Sequence, residues 1–388
     1  MKSSAFVYPW DINGDPGAAA AIAALGVSQV TLASAYHSTR ALTPRHPRHR
    51  VVTAAHAAAL YPLGSRWNGR ALRPYPAGDW APGDAFAEAA GAFLEAGVAV
   101  HSWVVLAHNS RMGTEHPETS VVNAYGDRYP WAPCIAQPAT RAYLVDLAAE
   151  AGARPGARGV ELESLGWYGL THLHAHDKTA GVELGEAGHY LMSLCFCPSC
   201  RAGYGHQGLD AGELLRAVRS ALGPLWRGAE PSGGWRAVRD LLGDEMAAAT
   251  LAWREACART LQAEAVAAIR TAAPDGFQVL VHADPVSYRC GANAGVDPEH
   301  IMSVADGVVV PCTGGTGLLA PFAEHRRERG VLAANFTVVR GMGGSPRTLA
   351  EDAKRAAGRG ATEVRLYHVG LASDGDLEAV RQALEELS

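Results

Sequence analysis

Gly159-Val160-Glu161-Leu162-Glu163-Ser164 organises the rest of this chain. Apolar residues alternate with acids, so as a strand it turns Glu161 and Glu163 to one side and Val160 and Leu162 to the other. The apolar side suits packing on helices, and the acidic side faces inward, as in one strand of a closed barrel. An aromatic and histidine-rich loop follows, and then Cys195-Phe196-Cys197-Pro198-Ser199-Cys200.

Along the chain, short apolar or β-branched runs alternate with Ala-rich stretches. The runs are Ala5 to Asp11, Gln29 to Tyr36, Val98 to Ala107, Gly159 to Ser164, Phe277 to Asp284, Gly307 to Cys312, Val331 to Thr337 and Glu363 to Val369. Between them, apolar residues recur at helical spacing in Ala18 to Leu25, Asp84 to Ala96, Thr140 to Ala151, Leu261 to Ala273, Pro346 to Arg359 and Asp376 to Leu387. This order predicts an α/β chain folded as a single (β/α)8 TIM barrel over residues 1–388. A doubly wound open sheet would show fewer strands and a Gly-rich phosphate loop after the first, and Asp11-Ile12-Asn13-Gly14-Asp15-Pro16 is no such loop.

Two segments exceed the repeat. Residues 38–82, rich in Pro, Arg and aromatics, predict an elaborate loop after strand two covering the upper barrel face. Residues 167–276, after strand four, hold the cysteines and a helix near Ala211 to Leu222. A Gly-Pro-rich break at Gly228 to Gly234 and a long helical region from Trp235 to Ala273 complete that segment.

With 34 Lys plus Arg against 39 Asp plus Glu, the formal charge is −5, and the basic residues are scattered apart from Arg45 to Arg50. That argues against a nucleic-acid partner. The basic run reads as a solvated loop, with a phosphate or carboxylate clamp as the alternative. Met1 to Trp10 reads as a first strand instead of a signal peptide, and no window reaches the roughly 18 apolar residues of a membrane helix. The expectation is a cytoplasmic protein with no membrane partner.

Seven cysteines is an odd count, and three fall within six residues, too tight for a disulfide framework. The C-x-C-x2-C spacing converges three thiolates on one point, and structural Zn²⁺ takes four ligands. Cys134, in the loop after strand three, would lie beside the loop after strand four. The reading is a structural zinc on Cys134, Cys195, Cys197 and Cys200; the alternative is a group of reduced cysteines packed in a loop. Cys312, at the end of strand six, reads as a small buried apolar residue, because no activating partner is visible.

Barrel enzymes place reactive groups at the C-terminal strand ends. Those ends offer Asp11, Tyr36 and His37, Trp103 and His108, Glu161 and Glu163, His282 and Asp284, Asn335, and His368. A buried acid with a second carboxylate nearby has its pKa pushed up, as a general acid requires, so Glu163 is the candidate acid with Glu161 one layer away. The alternative is that both are core acids paired with Arg or His. Glycoside hydrolysis usually needs a second carboxylate, about 5 to 5.5 Å away for retention or 6.5 to 9.5 Å for inversion. Asp284 is the first candidate and Asp11 the second, although Asp284 before Pro285 also fits a turn cap. Aromatic faces stack on sugar rings, and Trp103, Trp131, Trp167 and Tyr168 cluster at this rim. Asp11, His37, Trp103, His108, Trp167, Tyr168, His282, Asn335 and His368 form the candidate substrate-binding set. His172-Leu173-His174-Ala175-His176-Asp177 alternates like a metal-ligand set but reads as a solvated or substrate-contacting loop.

A barrel-strand carboxylate followed by C-x-C-x2-C, with a further cysteine upstream, resembles the clan A family 42 β-galactosidases. His116-Pro117-Glu118, Gly126-Asp127-Arg128-Tyr129-Pro130 and Cys134-Ile135-Ala136-Gln137-Pro138 extend the resemblance, which spans about Trp103 to Arg201. It implies a barrel with four cysteines binding zinc beside the active site, and an acid/base glutamate ending strand four, which carries over to Glu163. That family has Asn-Glu where this chain has Leu162-Glu163, and a nucleophilic Glu ending strand seven where this chain reads Ala333-Ala334-Asn335-Phe336-Thr337.

The expected function is cleavage of a glycosidic bond in a small intracellular sugar conjugate, with Glu163 as general acid/base. The alternatives are a non-catalytic carbohydrate-binding barrel and a substrate-assisted glycosidase with a single acid. The expected partner is a small carbohydrate or glycoconjugate, and the resemblance leaves room for a homo-oligomer.

Overall fold

The computed structural model describes residues 1–171 and 177–387. Eight parallel strands close into a barrel: β1 (Lys2–Val7), β2 (Gln29–Tyr36), β3 (Ala99–Val105), β4 (Gly159–Glu163), β5 (Gln278–His282), β6 (Gly307–Pro311), β7 (Val331–Thr337) and β8 (Glu363–Tyr367). Each pairs with its successor, and β8 closes on β1 from Lys2↔Glu363 to Ala5↔Leu366. The expected (β/α)8 TIM barrel is therefore the fold.

Alternation sets which side chains face which way. Val160, Leu162, Val279, Val281, Val308, Val310, Val364 and Leu366 join the large apolar layer between strands and helices. Burying each such side chain stabilises the fold by about 1.5–3 kcal/mol before chain entropy is counted. The helices that cover them include Ala85–Glu95, Pro138–Gly152, Asp244–Ala272 and Asp374–Leu387. Asp84 caps the first of these by accepting from the Ala87 amide at 3.0 Å.

Two boundaries differ from the sequence reading. The first strand ends at Val7, because Pro9 has no amide to extend the ladder and opens a single 3-10 turn, Pro9–Asp11. The long helical region is split at Gly243, whose φ of +80° separates Gly234–Leu242 from Asp244–Ala272.

The segment after β2 forms a hairpin, Thr39–Leu42 with Val51–Ala54. Its basic turn is a strap and not simply solvated: Arg45 donates to the carbonyls of Val369 and Ala372 at 2.9 and 3.2 Å. The segment after β4 carries the helices Gly185–Met192, Pro198–His206 and Ala211–Trp226. The histidine-rich stretch 172–176 lies outside the described residues. No described helix is long and apolar enough to cross a membrane.

Candidate active site

The inward faces of β4 and β8 build the barrel's polar centre. Arg365, fully buried, donates through Nε to Glu161 Oε1 at 2.7 Å and through Nη1 to Glu363 Oε2 at 2.9 Å. His101 Nδ1 and His282 Nε2 each lie 3.7 Å from the Glu161 carboxylate. Burial alone would push the Glu161 pKa up, but the Arg365 charge and the two imidazoles outweigh it and hold the carboxyl well below its ordinary range. Glu161 therefore sits as a core acid paired with Arg and His, the alternative the sequence reading left open for it. Glu161 and His282 belong to this internal network with Arg365, and neither borders the cavity described next.

One layer up the situation changes. Glu163 ends β4 opposite Val105 of β3, and its Oε2 accepts from Trp103 Nε1 at 2.9 Å. The next residue, Ser164, holds φ at +66°, a left-handed conformation costly for a residue with a Cβ. Its Oγ donates to the Tyr168 hydroxyl at 2.9 Å, and its amide is bound by the Ala292 carbonyl at 3.0 Å. The chain thus turns sharply where the strand leaves Glu163 at the barrel mouth.

Glu163 borders a cavity of about 610 Å³ whose wall also includes Tyr8, Tyr36, His37, Arg40, Tyr168 and Tyr367. Tyr8, Tyr36 and Tyr367 come from the ends of β1, β2 and β8, three consecutive staves. Tyr8 donates to the Tyr36 hydroxyl at 3.0 Å. Burial, with the Glu163 charge second, pushes Tyr367 up to about 12, partly offset by the Tyr36 and Tyr8 hydroxyls. Burial raises Tyr8, Tyr36 and Tyr168 well above their ordinary value as well, and the Glu163 charge adds to each. All four phenols remain protonated donors near neutral pH. Burial keeps His37 below its ordinary pKa, partly offset by the Ser38 carbonyl that its Nδ1 contacts at 2.7 Å. Its imidazole is neutral.

Among the fifteen residues of that wall Glu163 is the one carboxylic acid. Asp284, expected to face it, has Oδ1 accepting from the Val286 amide at 2.8 Å and Oδ2 paired with Arg289 Nη1 at 3.2 Å. That is the turn-capping role of an Asp before Pro. Asp11 is buried under the site: its Oδ2 accepts from the Tyr8 amide at 2.8 Å, and His368 Nδ1 lies 3.9 Å away. Burial pushes Asp11 up to about 7, with the Tyr8 amide and the Arg45 charge partly opposing. His368, fully buried and stacked on Tyr8 at 4.2 Å, is driven down to about 3 by burial.

Of the candidate binding residues, His37 and Tyr168 reach the cavity wall. Trp103 lies beneath it as the donor to Glu163, and His108 stacks behind Tyr168 at 5.0 Å. Trp167 is buried with Nε1 donating to the Arg254 carbonyl at 3.0 Å, so it packs the loop. Asn335 does not border this cavity. The sequence reading missed Tyr8, Tyr367 and Arg40; the usable signal was that both tyrosines end staves flanking the seam where the barrel closes.

Between the loops after β3 and β4, Cys134, Cys195, Cys197 and Cys200 are all buried with their sulfurs within 4.8 Å of one another. Cys134 Sγ lies 3.7 Å from Cys197 Sγ and 3.6 Å from Cys200 Sγ, too far for a disulfide. A tetrahedral zinc with Zn–S of about 2.3 Å sets its sulfurs roughly 3.8 Å apart, so the set fits that ion. Hydrogen bonds from the Cys134, Cys195 and Cys200 thiols hold Cys197 well below its ordinary pKa. The Val122 amide points at Cys195 Sγ at 3.4 Å, tying the loop after β3 to the loop after β4.

No family model matches the sequence, and no curated protein is similar to it in sequence. Solved structures are similar in fold. An α-L-fucosidase isoenzyme 2 from Paenibacillus thiaminolyticus superposes with a TM-score of 0.58 at 11% identity, covering 100% of this chain and 49% of that one. The catalytic domain of a β-amylase from Paenibacillus polymyxa gives 0.57 at 12% identity, covering 99% and 97%. A GH42 β-galactosidase from G. stearothermophilus gives 0.54 at 10% identity, covering 100% and 56%. The likeness shows the fold alone. The chain spans about half the length of the fucosidase and nearly the whole of the β-amylase domain.

Proposed function

We propose that this barrel cleaves a glycosidic bond in a small sugar conjugate, with Glu163 as general acid and then general base. The observation that carries the reading is the position of Glu163: the one carboxylic acid on the wall of a 610 Å³ cavity at the C-terminal mouth of the barrel, oriented by Trp103. Similarity in fold to barrels that act on sugars supports it.

With one acid on the wall, the nucleophile of the usual carboxylate pair has to come from elsewhere, and the proposal assigns it to the substrate. A carbonyl oxygen of a substituent next to the anomeric carbon forms the new C–O bond as the glycosidic C–O bond breaks. The departing oxygen takes the proton of Glu163. Water then opens the cyclic intermediate and gives its proton back to Glu163. The protonated phenols of Tyr8, Tyr36 and Tyr367 donate to sugar oxygens and fix the ring against Glu163. The four-cysteine cluster is proposed to hold a structural zinc that ties the loops after β3 and β4 together. The test is hydrolysis of 4-nitrophenyl 2-acetamido-2-deoxyglycosides against the matching 2-hydroxy glycosides. The reading expects turnover of the acetamido sugars alone, and equal turnover of both would exclude the substrate-assisted route.

The same lone acid favours a second reading, a carbohydrate-binding barrel without turnover. Saturable sugar binding with no hydrolysis across that panel would establish it.

A further inference from the structure

A second cavity, of about 680 Å³, lies on the other side of the Thr39–Leu42/Val51–Ala54 hairpin. The hairpin is a shared wall: Thr39 to Leu42 border the Glu163 cavity, while Val51 to Thr53 border the second. Trp10 also borders the second cavity, and it stacks on Tyr8 of the first with ring centroids 4.5 Å apart. The volume falls within the roughly 300–1,000 Å³ typical of small-molecule sites.

The lining is chemically specific. Two indoles, Trp10 and Trp80, border the cavity, and each has a buried Nε1 with no hydrogen-bond partner. Asn13, on the same wall, spends its amide nitrogen on the Ala85 carbonyl at 2.9 Å and leaves its Oδ1 buried and unpartnered. Trp10 is only 4% exposed. A buried polar atom without a partner costs about 1–3 kcal/mol. With His49 Nε2, four such atoms sit in the walls of this one cavity.

Charge narrows the ligand. Arg48 and His49 face the cavity, but so do Asp79 and Glu88, so neither an anion nor a cation meets a wall of uniform opposite sign. A neutral polyhydroxylated ring takes hydrogen bonds from both kinds of group and presents an apolar face to indole. We propose that this second cavity binds a neutral sugar ring, separate from the Glu163 cavity and sharing one hairpin wall with it. The sugar assignment rests on the reading of the first site as one for carbohydrate.

The experiment is calorimetric titration of xylopentaose, cellopentaose and β-1,4-galactopentaose into the full-length protein, with inorganic phosphate and glucuronate as anionic controls. Wild type, Trp80→Ala, Trp80→Phe and Asp79→Ala are compared, with thermal unfolding to confirm that each variant folds. Binding of at least one pentasaccharide is expected to weaken by about tenfold in Trp80→Ala, equivalent to about 1.4 kcal/mol, and to recover in part in Trp80→Phe, which restores the ring without the N–H. Asp79→Ala, which removes an acceptor and leaves the indoles intact, should weaken it as well. Any turnover of small 4-nitrophenyl glycosides should be unaffected by Trp80→Ala. Absence of Trp80-dependent pentasaccharide binding overturns the proposal whether or not glycosides are hydrolysed, as does binding of the anions alone. Trp80-dependent binding without hydrolysis would sink the catalytic reading and leave this one standing.

Discussion

Trp103 Nε1 donates to Glu163 Oε2 at 2.9 Å, so the acid proposed for catalysis is aimed by a buried indole on the neighbouring strand. Trp103 is itself held edge-on by Phe6 at 4.8 Å and Tyr36 at 4.6 Å. Trp103→Phe keeps the ring packing and removes the donor. A hydrogen bond of this kind is worth about 0.5–1.5 kcal/mol, so kcat/KM should fall several-fold with little change in Tm. A variant with unchanged kcat/KM would show that Glu163 needs no such orientation.

The Glu161–Arg365 pair should govern acid stability. Glu161 has its pKa held down in the folded state, so its contribution is present above the unfolded carboxylate value and is lost as pH falls through the folded value. Arg365→Met leaves a buried carboxylate uncompensated, and breaking such a pair costs about 3–5 kcal/mol. Urea titration at neutral pH measures this directly; a loss under about 1 kcal/mol would mean that His101 and His282 suffice.

Asp11 and His368 pull the pH dependence in opposite directions. Burial raises Asp11 from 3.8 to about 7, so the folded state holds its proton longer and this group lowers stability as pH rises across that interval. His368 falls from 6.5 to about 3, so the unfolded state takes up the proton first and this group raises stability with pH up to about 6.5. The two slopes oppose each other over the shared range. Asp11→Asn should therefore steepen the rise of Tm with pH between about 4 and 6.5, and His368→Gln should reverse it. Parallel profiles for both variants and wild type would refute the assignment.

If the cysteine cluster holds zinc, purified protein contains about one zinc per chain, and Cys134→Ser loses it together with several degrees of Tm. Elemental analysis beside thermal unfolding checks both. Metal-free protein with unaltered Tm would leave the cluster as packed thiols.

How much of this could be read beforehand follows from the range of the interactions. The barrel was legible because alternation in runs such as Gly159 to Ser164 is local, and Cys134 was reachable because loops after adjacent staves meet. The fate of Glu161 was not, since its partner Arg365 lies 204 residues downstream and nothing local in β8 marks that pairing. Asp284 failed to face the cavity for a short-range reason, the turn before Pro285 and an arginine five residues on. Tyr8 and Tyr367 looked like any strand-end aromatics until closure of the barrel set them beside Tyr36.

The most direct test of the central claim is kcat/KM for Glu163→Gln, Asp284→Asn and Asp11→Asn on a glycoside turned over by the wild type. General acid–base catalysis contributes about 10²–10⁴-fold, so Glu163→Gln should lose activity on that scale while Asp284→Asn stays within a few-fold of wild type. Retained turnover in Glu163→Gln, or an equal collapse in Asp284→Asn, would contradict the single-acid account.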